Sequence, residues 1–392
     1  MSRSEGDDDE QEQVGGRHFV ASRTRPSRRW LVVFGSLMVV ILASASGLTY
    51  VGVRTVRDSR AGKSVSTVND PSLPGYEALL EPTPTLVVLH SSGSTLLSVA
   101  VLALASGDAG GSVLLVPPDT RLASGENAFT LAAVAAFNGS ATAAVPGLQE
   151  LLGIGLSEVA VVDDARWSEL VAPVAPLHLD NPDVVGPFAA GALALTAPQV
   201  GPYLAARNAG ESDLARLYRQ QLLFDAWIGA VAASSDPGVV PGEGDAGLGR
   251  FVRGLAAGPH RIATLPVVET PTAAGTRLDA DHDAAAALVV GLVPFPTAPH
   301  PGGRVRVRVL DGTGKAQHVL KVAPRVVSAA AEIVVIGNAD RFTYTTTEIR
   351  YHDPLQRAAA EAIRASLGGG RVVADPRPTD AFDVTIVLGT DV

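Results

Sequence analysis

The densest group of side chains able to hold an anion lies on, and just before, a helix that is predicted to begin after Ser212. Its polar residues recur at intervals of three and four, so a helix would place most of them on one face. An arginine guanidinium is a planar group with five donors, and it suits phosphate or carboxylate oxygens. Three arginines in one short segment could therefore form a cradle for a phosphate. The members of this group are Arg207, Asp213, Arg216, Arg219 and Gln220.

The same spacing also fits a plain amphipathic helix. Ser212 is a residue type that caps helices, and Asp213 and Arg216 could pair in solvent at a separation of three residues. Exposed pairs of this kind are common and weak. Spacing alone leaves both interpretations open.

Length and composition narrow the possible functions. The chain has 392 residues, enough for two domains of ordinary size, and its apolar content suffices for sizeable cores. A net charge of -9 argues against a nucleic-acid binder. The absence of cysteine excludes disulfides, thiolate metal sites and a cysteine nucleophile. The sequence contains no Gly-x-Ser-x-Gly or His-Glu-x-x-His pattern that would indicate a hydrolase.

The N-terminal part is predicted to anchor the protein in a membrane. Residues 1–29 form a disordered cytoplasmic tail, acidic and then basic, and residues 30–53 carry no charge. At about 1.5 Å per residue the uncharged run crosses a bilayer, and the arginines before it place the N-terminus in the cytoplasm. Everything after residue 53 is then extracytoplasmic. The alternative is a cleaved signal peptide, since Ala43–Ala45 fits a small-residue cleavage site.

The rest of the chain is predicted to fold as α/β structure, preceded by a stalk at residues 54–84. Residues 85–292 form a central mixed sheet flanked by helices. Residues 293–303 are a proline-rich linker, and residues 304–392 form a small second α/β domain. Predicted strands lie at 85–90, 95–104, 112–116, 158–162, 261–268, 304–310, 332–336, 345–351 and 383–389. Predicted helices lie at 127–137, 146–152, 165–171, 248–256, 283–290, 315–327 and 354–367.

Other candidate sites are weaker. Asp163 and Asp164 could hold a metal, but they lie where a strand passes into a helix, and aspartate is a common N-cap there. The histidines after residue 250 are separated and lack the spacing of metal ligands. The sequence Asp311-Gly-Thr-Gly314 lacks the Gly-Lys-Ser/Thr of a phosphate-binding loop.

Two sets of motifs resemble the LytR-CpsA-Psr family of bacterial cell-envelope proteins. The first is the family pattern Y-x-R-x-R followed by D-x-x-R-x-x-R-Q, which resembles the segment from Tyr203 to Gln220. The second resembles the LytR C-terminal domain over about ninety residues. Its matching segments are Val307-Arg-Val309-Leu-Asp311-Gly-Thr-Gly314, Gly337-Asn-Ala339, Thr347-Glu-Ile349-Arg-Tyr351 and Val387-Leu-Gly389-Thr-Asp391.

The resemblance implies a function and a set of site residues. Members of the family transfer a glycopolymer from a polyprenyl pyrophosphate lipid to a wall acceptor, using Mg²⁺ and an apolar tunnel. The resemblance implies that Arg207, Arg216, Arg219 and Gln220 are pyrophosphate ligands, and Arg121 is a further candidate that could swing toward the arginine position occupied by Pro118. Asp119 is the candidate metal ligand, and the remaining catalytic candidates are Arg207, Arg219 and Asp213.

The chain departs from the family pattern at several positions. Ser94 stands where the family has its metal-binding aspartate, Pro118 stands at an arginine position, and Ala205 replaces the first arginine of Y-x-R-x-R. The lysine that usually opens the following helix also has no counterpart in 127–137. Charge-stabilising groups act together, so these losses predict a degenerate transferase centre.

The sequence therefore supports three hypotheses. In the first, the protein binds polyprenyl-phosphate-linked glycan or wall polymer, with an envelope protein partner possible. In the second, it is an active Mg²⁺-dependent transferase with a rearranged site. In the third, the first domain is a spacer that presents the C-terminal domain to a protein partner. Nucleic acid is not an expected partner, and no cofactor is implied unless the site is active.

Overall fold

The computed structural model describes residues 68–123, 128–236, 239–240, 247–272, 275–315, 317–377 and 381–392. The predicted cytoplasmic tail, the predicted membrane helix and the first part of the predicted stalk lie outside these ranges. Within them, no helix has both the length and the apolar character needed to cross a bilayer.

The strands are β1 (Glu77–Leu79), β2 (Thr85–Ser92), β3 (Thr95–Leu104), β4 (Gly111–Val116), β5 (Thr120–Arg121), β6 (Glu158–Val162), β7 (Leu177–Asn181), β8 (Gly191–Leu195), β9 (His260–Thr264), β10 (Val267–Thr272), β11 (Gly275–Ala280), β12 (Val305–Asp311), β13 (Ala331–Asn338), β14 (Glu348–Tyr351), β15 (Arg371–Ala374) and β16 (Val384–Leu388). The helices are α1 (Leu131–Asn138), α2 (Val145–Leu152), α3 (Asp164–Val171), α4 (Ala197–Ala205), α5 (Asp213–Ala233), α6 (Gly247–Ala256), α7 (His282–Leu292), α8 (His318–Ser328) and α9 (Arg357–Leu367). Short 3-10 turns lie at Ala141–Ala144, Ala172–Val174 and Pro354–Gln356.

The first part of the fold is built on a five-stranded mixed sheet in the order β6-β2-β3-β4-β9. Strands β2 and β6 are parallel, β4 and β9 are parallel, and β3 runs antiparallel to its two neighbours. The long apolar run of β3 is buried on both faces, as expected for a central strand covered by helices on each side. The predicted mixed α/β fold is confirmed.

Each face of this sheet has its own apolar core. One face packs against α3, α4, α5 and α6, and the other packs against α1, α2 and α7. The first core contains the largest buried rings, Trp167, Phe224 and Trp227. The two tryptophan rings meet edge to face, with their centroids 5.4 Å apart. Burial of such rings contributes a large share of the stability of a core.

The observed strands differ from the predicted ones in two regions, residues 261–280 and residues 177–195. The predicted strand 261–268 is divided into β9 and β10 at Leu265 and Pro266, because proline has no N–H to continue a ladder. Strand β10 then forms a hairpin with β11, which also pairs with β5. The two-stranded sheet of β7 and β8 was not predicted.

The second part of the fold is a six-stranded sheet in the order β1-β13-β12-β16-β14-β15. One face of this sheet packs against α8 and α9 in a third core. The outer strand β1 comes from the segment that was assigned to the stalk, and it pairs antiparallel with β13. A Cβ atom at Gly337 would lie 2.1 Å from the backbone oxygen of Tyr76, so this close pairing requires glycine there.

Asn338 fastens the segment that leads into β1. Its side-chain amide donates to the carbonyl oxygens of Pro71 and Leu73, each at 2.8 Å. Its backbone N–H donates to the carbonyl of Tyr76 at 2.7 Å. Residues 71–79 are therefore bound along the edge of the C-terminal sheet.

The proline-rich segment is hydrogen-bonded to its surroundings. The backbone N–H of Thr83 donates to Phe295 O at 2.9 Å, and that of Gly155 donates to Thr297 O, also at 2.9 Å. Just after it, Arg304 Nε donates to Gly153 O at 2.8 Å, and Arg304 Nη1 donates to Ala331 O at 3.1 Å. These bonds join the two sheets within one compact unit.

Asp375 should make the C-terminal domain sensitive to acid. Its carboxylate accepts two hydrogen bonds from Arg377, at 2.9 and 2.7 Å, and these lower its pKa to about 2. A lowered folded-state pKa contributes stability above the unfolded value of 3.8, and that stability is lost as the pH falls toward about 2. Because Arg377 is 76% exposed, we expect the contribution to be only roughly 1 kcal/mol.

The measurement is chemical denaturation of wild type and Asp375→Asn at neutral pH and in acid. The variant should be less stable at neutral pH, and the difference should shrink as Asp375 takes up its proton. Glu361→Gln is the control, because that carboxylate is 43% exposed and pairs with an exposed arginine. A free-energy difference for Asp375→Asn that is constant with pH would contradict the prediction.

Candidate functional site

The candidate site lies at one edge of the five-stranded sheet. Strands β2, β4 and β6 all run in the same direction, so their carboxyl ends meet at this edge. In open α/β sheets the carboxyl ends of strands form the crevice where ligands bind. The edge therefore carries Ser94 in the turn after β2, Pro118 and Asp119 after β4, and Asp164 after β6.

Helix α5 presents its polar face at its N-terminal end. Ser212 caps the helix, its hydroxyl accepting from the backbone N–H of Leu214 at 3.1 Å. The side chains of Asp213, Arg216, Arg219 and Gln220 are all buried. The spacing predicted that three of these residues share a face, and the structure places them together inside the protein rather than in solvent.

Four charged side chains form an alternating chain that reaches from this helix to the sheet edge. Arg216 Nη2 lies 2.8 Å from Asp213 Oδ1, and both side chains are almost fully buried. Arg207 Nη1 lies 3.4 Å from Asp213 Oδ1 and 3.4 Å from Asp119 Oδ2. Arg207 and Asp119 are 42% and 45% exposed, so they form the accessible end of this chain. We call these four residues the Arg207 cluster.

Arg219 and Gln220 contact the chain between α4 and α5. Arg219 forms an ion pair with Glu211 and donates from Nη2 to Ala206 O at 3.1 Å. Gln220 Nε2 donates to Leu204 O at 3.0 Å. Both side chains are thus directed at the connection between α4 and α5, where they fix the loop that carries Arg207.

Arg121 is buried on β5 at a separate set of contacts. Its Nη1 lies 3.3 Å from Asp279 Oδ1 on β11, while the other oxygen of Asp279 accepts from Arg277 Nε at 2.7 Å. The predicted five-residue cradle is therefore divided into three groups. The Arg207 cluster contains two of its members, the α4–α5 loop engages Arg219 and Gln220, and β11 engages Arg121.

Burial changes the ionisation of the groups at this site. Burial raises the pKa of Asp213, the nearby Asp119 carboxylate raises it further, and Arg216 only partly opposes this. Burial also lowers the pKa of Arg216, against the attraction of Asp213. For Glu211, burial is outweighed by the hydrogen bond from Arg219 and other favourable contacts, so its pKa is lowered. Glu211 is thus held as an anion, whereas Asp213 is the carboxylate closest to taking up a proton.

Several buried polar atoms at the site have no hydrogen-bond partner. Buried polar groups are normally paired, so a concentration of unpaired ones indicates capacity for a polar ligand or water. Asp213 and Arg216 are close but poorly aligned for hydrogen bonding, so their contact is ionic rather than a saturated hydrogen-bonded pair. Among the predicted site residues and their neighbour Thr120, the atoms concerned are Thr120 Oγ1, Arg121 Nη2, both Asp213 carboxylate oxygens, Arg216 Nε, Arg219 Nε and Gln220 Oε1.

With the Asp119–Arg207 contact closed, as in this structure, these residues do not fit a resident divalent cation. Asp119 and Asp213 are balanced by Arg207 and Arg216, so two negative and two positive charges cancel. The described parts of the chain contain no group of three or more histidine, aspartate or glutamate side chains placed to bind a metal. Asp119, the predicted metal ligand, instead contacts Arg207. The cluster can more readily accept an anion, which would replace Asp119 at the exposed guanidinium of Arg207.

Two contacts at the site were not predicted from the sequence. Glu211 lies in the loop just before α5, eight residues ahead of its partner Arg219, so the helical period does not include this pair. His90 lies within an apolar strand, and its Nε2 is 2.8 Å from Asp164 Oδ1. Burial lowers the pKa of His90, although the hydrogen bond with Asp164 favours the charged form. Asp163 caps α3 by accepting from Arg166 N at 2.8 Å.

The Asp311-Gly-Thr-Gly314 loop is stabilised by its own side chains. Asp311 Oδ1 accepts from the hydroxyl of Thr313 at 2.7 Å. His318 Nδ1 lies 3.2 Å from both the Asp311 carboxylate and the Thr313 hydroxyl. A nucleophile and an orienting acid must contact different ring nitrogens of a catalytic histidine, so this group is not a hydrolase triad.

Comparison with known proteins gives three results. Residues 304–391 match the family described as LytR cell envelope-related transcriptional attenuator. No curated protein matches the chain by sequence. The match over residues 304–391 confirms the predicted resemblance to the LytR C-terminal domain, and the solved structures that resemble the chain include a LytR-Csp2A-Psr enzyme.

Three of these structures illustrate the extent of the likeness. TagV from Bacillus subtilis is 14% identical, with 55% of this chain and 99% of TagV covered and a TM-score of 0.45. TagT bound to LIIa-WTA is 16% identical, with coverages of 60% and 97% and a TM-score of 0.44. A LytR-Csp2A-Psr enzyme from Actinomyces oris is 15% identical, with coverages of 57% and 94% and a TM-score of 0.43.

Proposed function

Residues 304–391 of this protein form a LytR C-terminal domain, and from this premise we propose that the chain is a cell-envelope protein that binds a polyprenyl-(pyro)phosphate-linked glycan or wall polymer. In this role it assists the attachment of wall glycopolymer, while its own transferase centre is degenerate. The observation that carries the proposal is the half-exposed guanidinium of Arg207, held between Asp119 and Asp213 at the carboxyl edge of the sheet.

Binding would proceed by exchange of anions at Arg207. A phosphate oxygen takes the place of the Asp119 carboxylate, because charge-assisted hydrogen bonds to a guanidinium are stronger than neutral ones. Arg216 remains buried behind Asp213 and keeps that side chain in place. The N-terminus of α5 also lies here, and its unpaired N–H groups and helix dipole favour negative charge.

The residues at the sheet edge favour binding over catalysis. Ser94 offers a neutral hydroxyl at the position where the family pattern has an aspartate, and Pro118 offers neither charge nor a donor. Removing even one donor that stabilises a developing charge costs about 3 to 4 kcal/mol of transition-state stabilisation. With several such groups missing, the cluster can still bind a phosphate, but it lacks the electrostatic stabilisation that the transition state of phosphate transfer requires.

Membrane anchoring is part of the proposal. The uncharged run at residues 30–53, preceded by the arginines of residues 17–29, supports a single membrane helix with its N-terminus in the cytoplasm. A lipid-linked ligand is confined to the membrane. A tethered receptor would therefore meet it at high effective concentration.

Native mass spectrometry tests the binding. We expect the detergent-purified full-length protein to retain a polyprenyl phosphate species and Arg207→Ala to lose most of it, because that substitution removes the only accessible guanidinium of the cluster. Arg357→Ala, at an exposed arginine at the start of α9, should retain the lipid. Equal retention by wild type and Arg207→Ala, or none by wild type, would exclude the site.

A second candidate function is supported by the unpaired carboxylate oxygens of Asp213 beside Asp119. They could take part in a rearranged, Mg²⁺-dependent transfer if the Asp119–Arg207 contact opened. Incubating the protein with a pyrophosphate-linked glycan donor and Mg²⁺ distinguishes the two functions. Turnover that disappears in Arg207→Ala would establish the transferase, whereas retained and uncleaved donor supports a binding protein.

A further inference from the structure

The C-terminal sheet has an open face opposite α8 and α9, and this face contains a cleft of about 490 Å³. Volumes of this order hold a ligand the size of a drug or a short sugar chain. Strand β1, the central strands and the segment after β13 form its walls. Its lining includes Glu77, Arg308, Asp340, Arg341, Arg350 and Arg377.

The register of the sheet sets two of these arginines on one line. Arg308 of β12 pairs with Thr385 of β16, and Thr385 pairs with Arg350 of β14. The backbones of Arg308 and Arg350 are therefore two strand spacings apart, or roughly 10 Å. Both side chains point to the open face, because alternate residues of a strand face opposite sides and the neighbouring Val307 and Ile349 lie in the helix-covered core.

Neighbouring groups hold the arginines in fixed orientations. Arg308 Nη1 donates to Glu77 Oε1 at 3.2 Å, and its guanidinium lies 4.4 Å from the centre of the Phe382 ring. Arg350 donates from Nε and Nη2 to Glu348 Oε2 at 2.9 and 2.6 Å. Arg341 lies over the ring of Tyr344 at 4.4 Å. A guanidinium that is already oriented loses little freedom when it binds an oxyanion.

The arginines keep donors available despite these contacts. Each guanidinium has five N–H groups, and a monodentate or bidentate carboxylate contact occupies only one or two of them. The Nε atom of Arg308 is buried and has no hydrogen-bond partner. The cleft therefore contains donors that its own carboxylates do not satisfy.

Four arginines and two acids line the cleft, and Glu348 and Asp375, which are not among the lining residues, pair with Arg350 and Arg377. Each arginine therefore has one carboxylate partner, and what favours an oxyanion is the set of guanidinium donors that these contacts leave unsatisfied, including Arg308 Nε. The floor is apolar, formed by Leu310, Ala339, Tyr344 and Val387. An apolar floor below oriented cations suits a chain of sugar or polyol units that carries oxyanion groups.

We propose that this cleft is a second binding site, for an anionic glycan segment bearing phosphate or carboxylate groups. The site belongs to the C-terminal domain and shares no residue with the Arg207 cluster. The cleft would bind a part of the polymer that is distant from the phosphate group bound by Arg207. The proposal therefore stands whether or not the Arg207 cluster binds a lipid-linked ligand.

The test measures binding of three probes to the full-length protein in nanodiscs, in an Arg207→Gln background that removes the accessible guanidinium of the other site. Tripolyphosphate supplies phosphate groups, trigalacturonate supplies carboxylates on a sugar chain, and chitotriose is a neutral trisaccharide. We expect at least one anionic probe to bind and chitotriose not to bind. The preferred probe distinguishes a phosphate-bearing from a carboxylate-bearing ligand.

Substitutions then locate the binding. Arg341→Gln and Arg350→Gln should each lower the affinity for the anionic probe about tenfold, because each substitution removes a charge-assisted hydrogen bond. Arg341 is 58% exposed, so its replacement should leave folding intact. Arg364→Gln removes the same charge from α9, away from the cleft, and should leave the affinity unchanged. Failure of both anionic probes to bind, or equal weakening by Arg364→Gln, would overturn the proposal.

Discussion

Replacing Arg216 by methionine is expected to lower the free energy of unfolding by about 3 to 5 kcal/mol, the usual cost of breaking a buried ion pair by removing one partner. The side chains of Arg216 and Asp213 are 7% and 1% exposed, so solvent cannot replace the lost cation. Burial already raises the pKa of Asp213, and loss of Arg216 should raise it further. The variant should therefore be least impaired in acid, where Asp213 is protonated, and most impaired as the pH rises through its folded-state pKa.

An exposed pair of the same spacing provides the control. Arg364 follows Glu361 by three residues on a helix, as Arg216 follows Asp213, but the two side chains are 46% and 43% exposed. Arg364→Met should change the stability by at most about 0.5 kcal/mol. The double variant Asp213→Leu/Arg216→Met should recover much of the loss, since apolar replacement of a whole buried pair is often neutral. Chemical denaturation followed by tryptophan fluorescence gives the free energy of unfolding of all three variants. If Arg216→Met and Arg364→Met lower it equally, the prediction that Arg216 belongs to a buried ion pair is wrong.

Replacing Trp227 by alanine is expected to cost about 3 to 5 kcal/mol through the cavity left in the core. The Trp227 side chain is fully buried. Its ring lies 5.4 Å from that of Trp167 and 6.3 Å from that of Phe224, so the substitution removes contacts on two sides. Trp227→Phe keeps part of this packing and should give an intermediate loss.

Tyr218 is the matched control for this substitution because it is an aromatic residue of the same helix and is 52% exposed. Tyr218→Ala should change the free energy of unfolding by no more than about 0.5 kcal/mol. Thermal and chemical denaturation should rank the variants as wild type, Tyr218→Ala, Trp227→Phe and Trp227→Ala. If the two alanine variants are equally stable, α5 does not pack as described.

Elements with a strong periodic or continuous apolar signal could be predicted well. The structure places β3 at Thr95–Leu104 and β6 at Glu158–Val162, the same bounds as the apolar runs predict. In helix α5 the spacing predicted that Arg216 and Gln220 share one face, whereas their burial is known only from the structure. In these segments the local pattern and the tertiary environment agree.

Elements that depend on distant partners could not be predicted. Strand β1 has only three residues, and it is a strand because Gly337 allows the Tyr76 backbone to approach β13. Strands β7 and β8 have only five residues each and are joined by the long connection 182–190 rather than by a short hairpin turn. Pairing of this kind is decided by chain segments far apart in sequence, and local propensity carries little information about it.

The candidate site shows the same division. Periodicity indicated which side chains of α5 share a face, but it could not show that Arg219 binds Glu211 and the Ala206 carbonyl. Those contacts depend on the path of the loop between α4 and α5. The pairing of Arg207 with Asp119 likewise depends on a loop and a strand end that are 88 residues apart in sequence.

The contacts of Asn338 have a mechanical consequence. Any tension applied to the chain ahead of residue 71 reaches the C-terminal sheet first through the hydrogen bonds of Asn338 to Pro71, Leu73 and Tyr76. Only after these bonds part does the load pass to the three residue pairs of β1 with β13. Since Glu77 of β1 orients Arg308, a pull strong enough to strip this strand would also release that arginine. Tension on this segment would therefore loosen the cleft around Arg308, the site proposed to bind an anionic glycan.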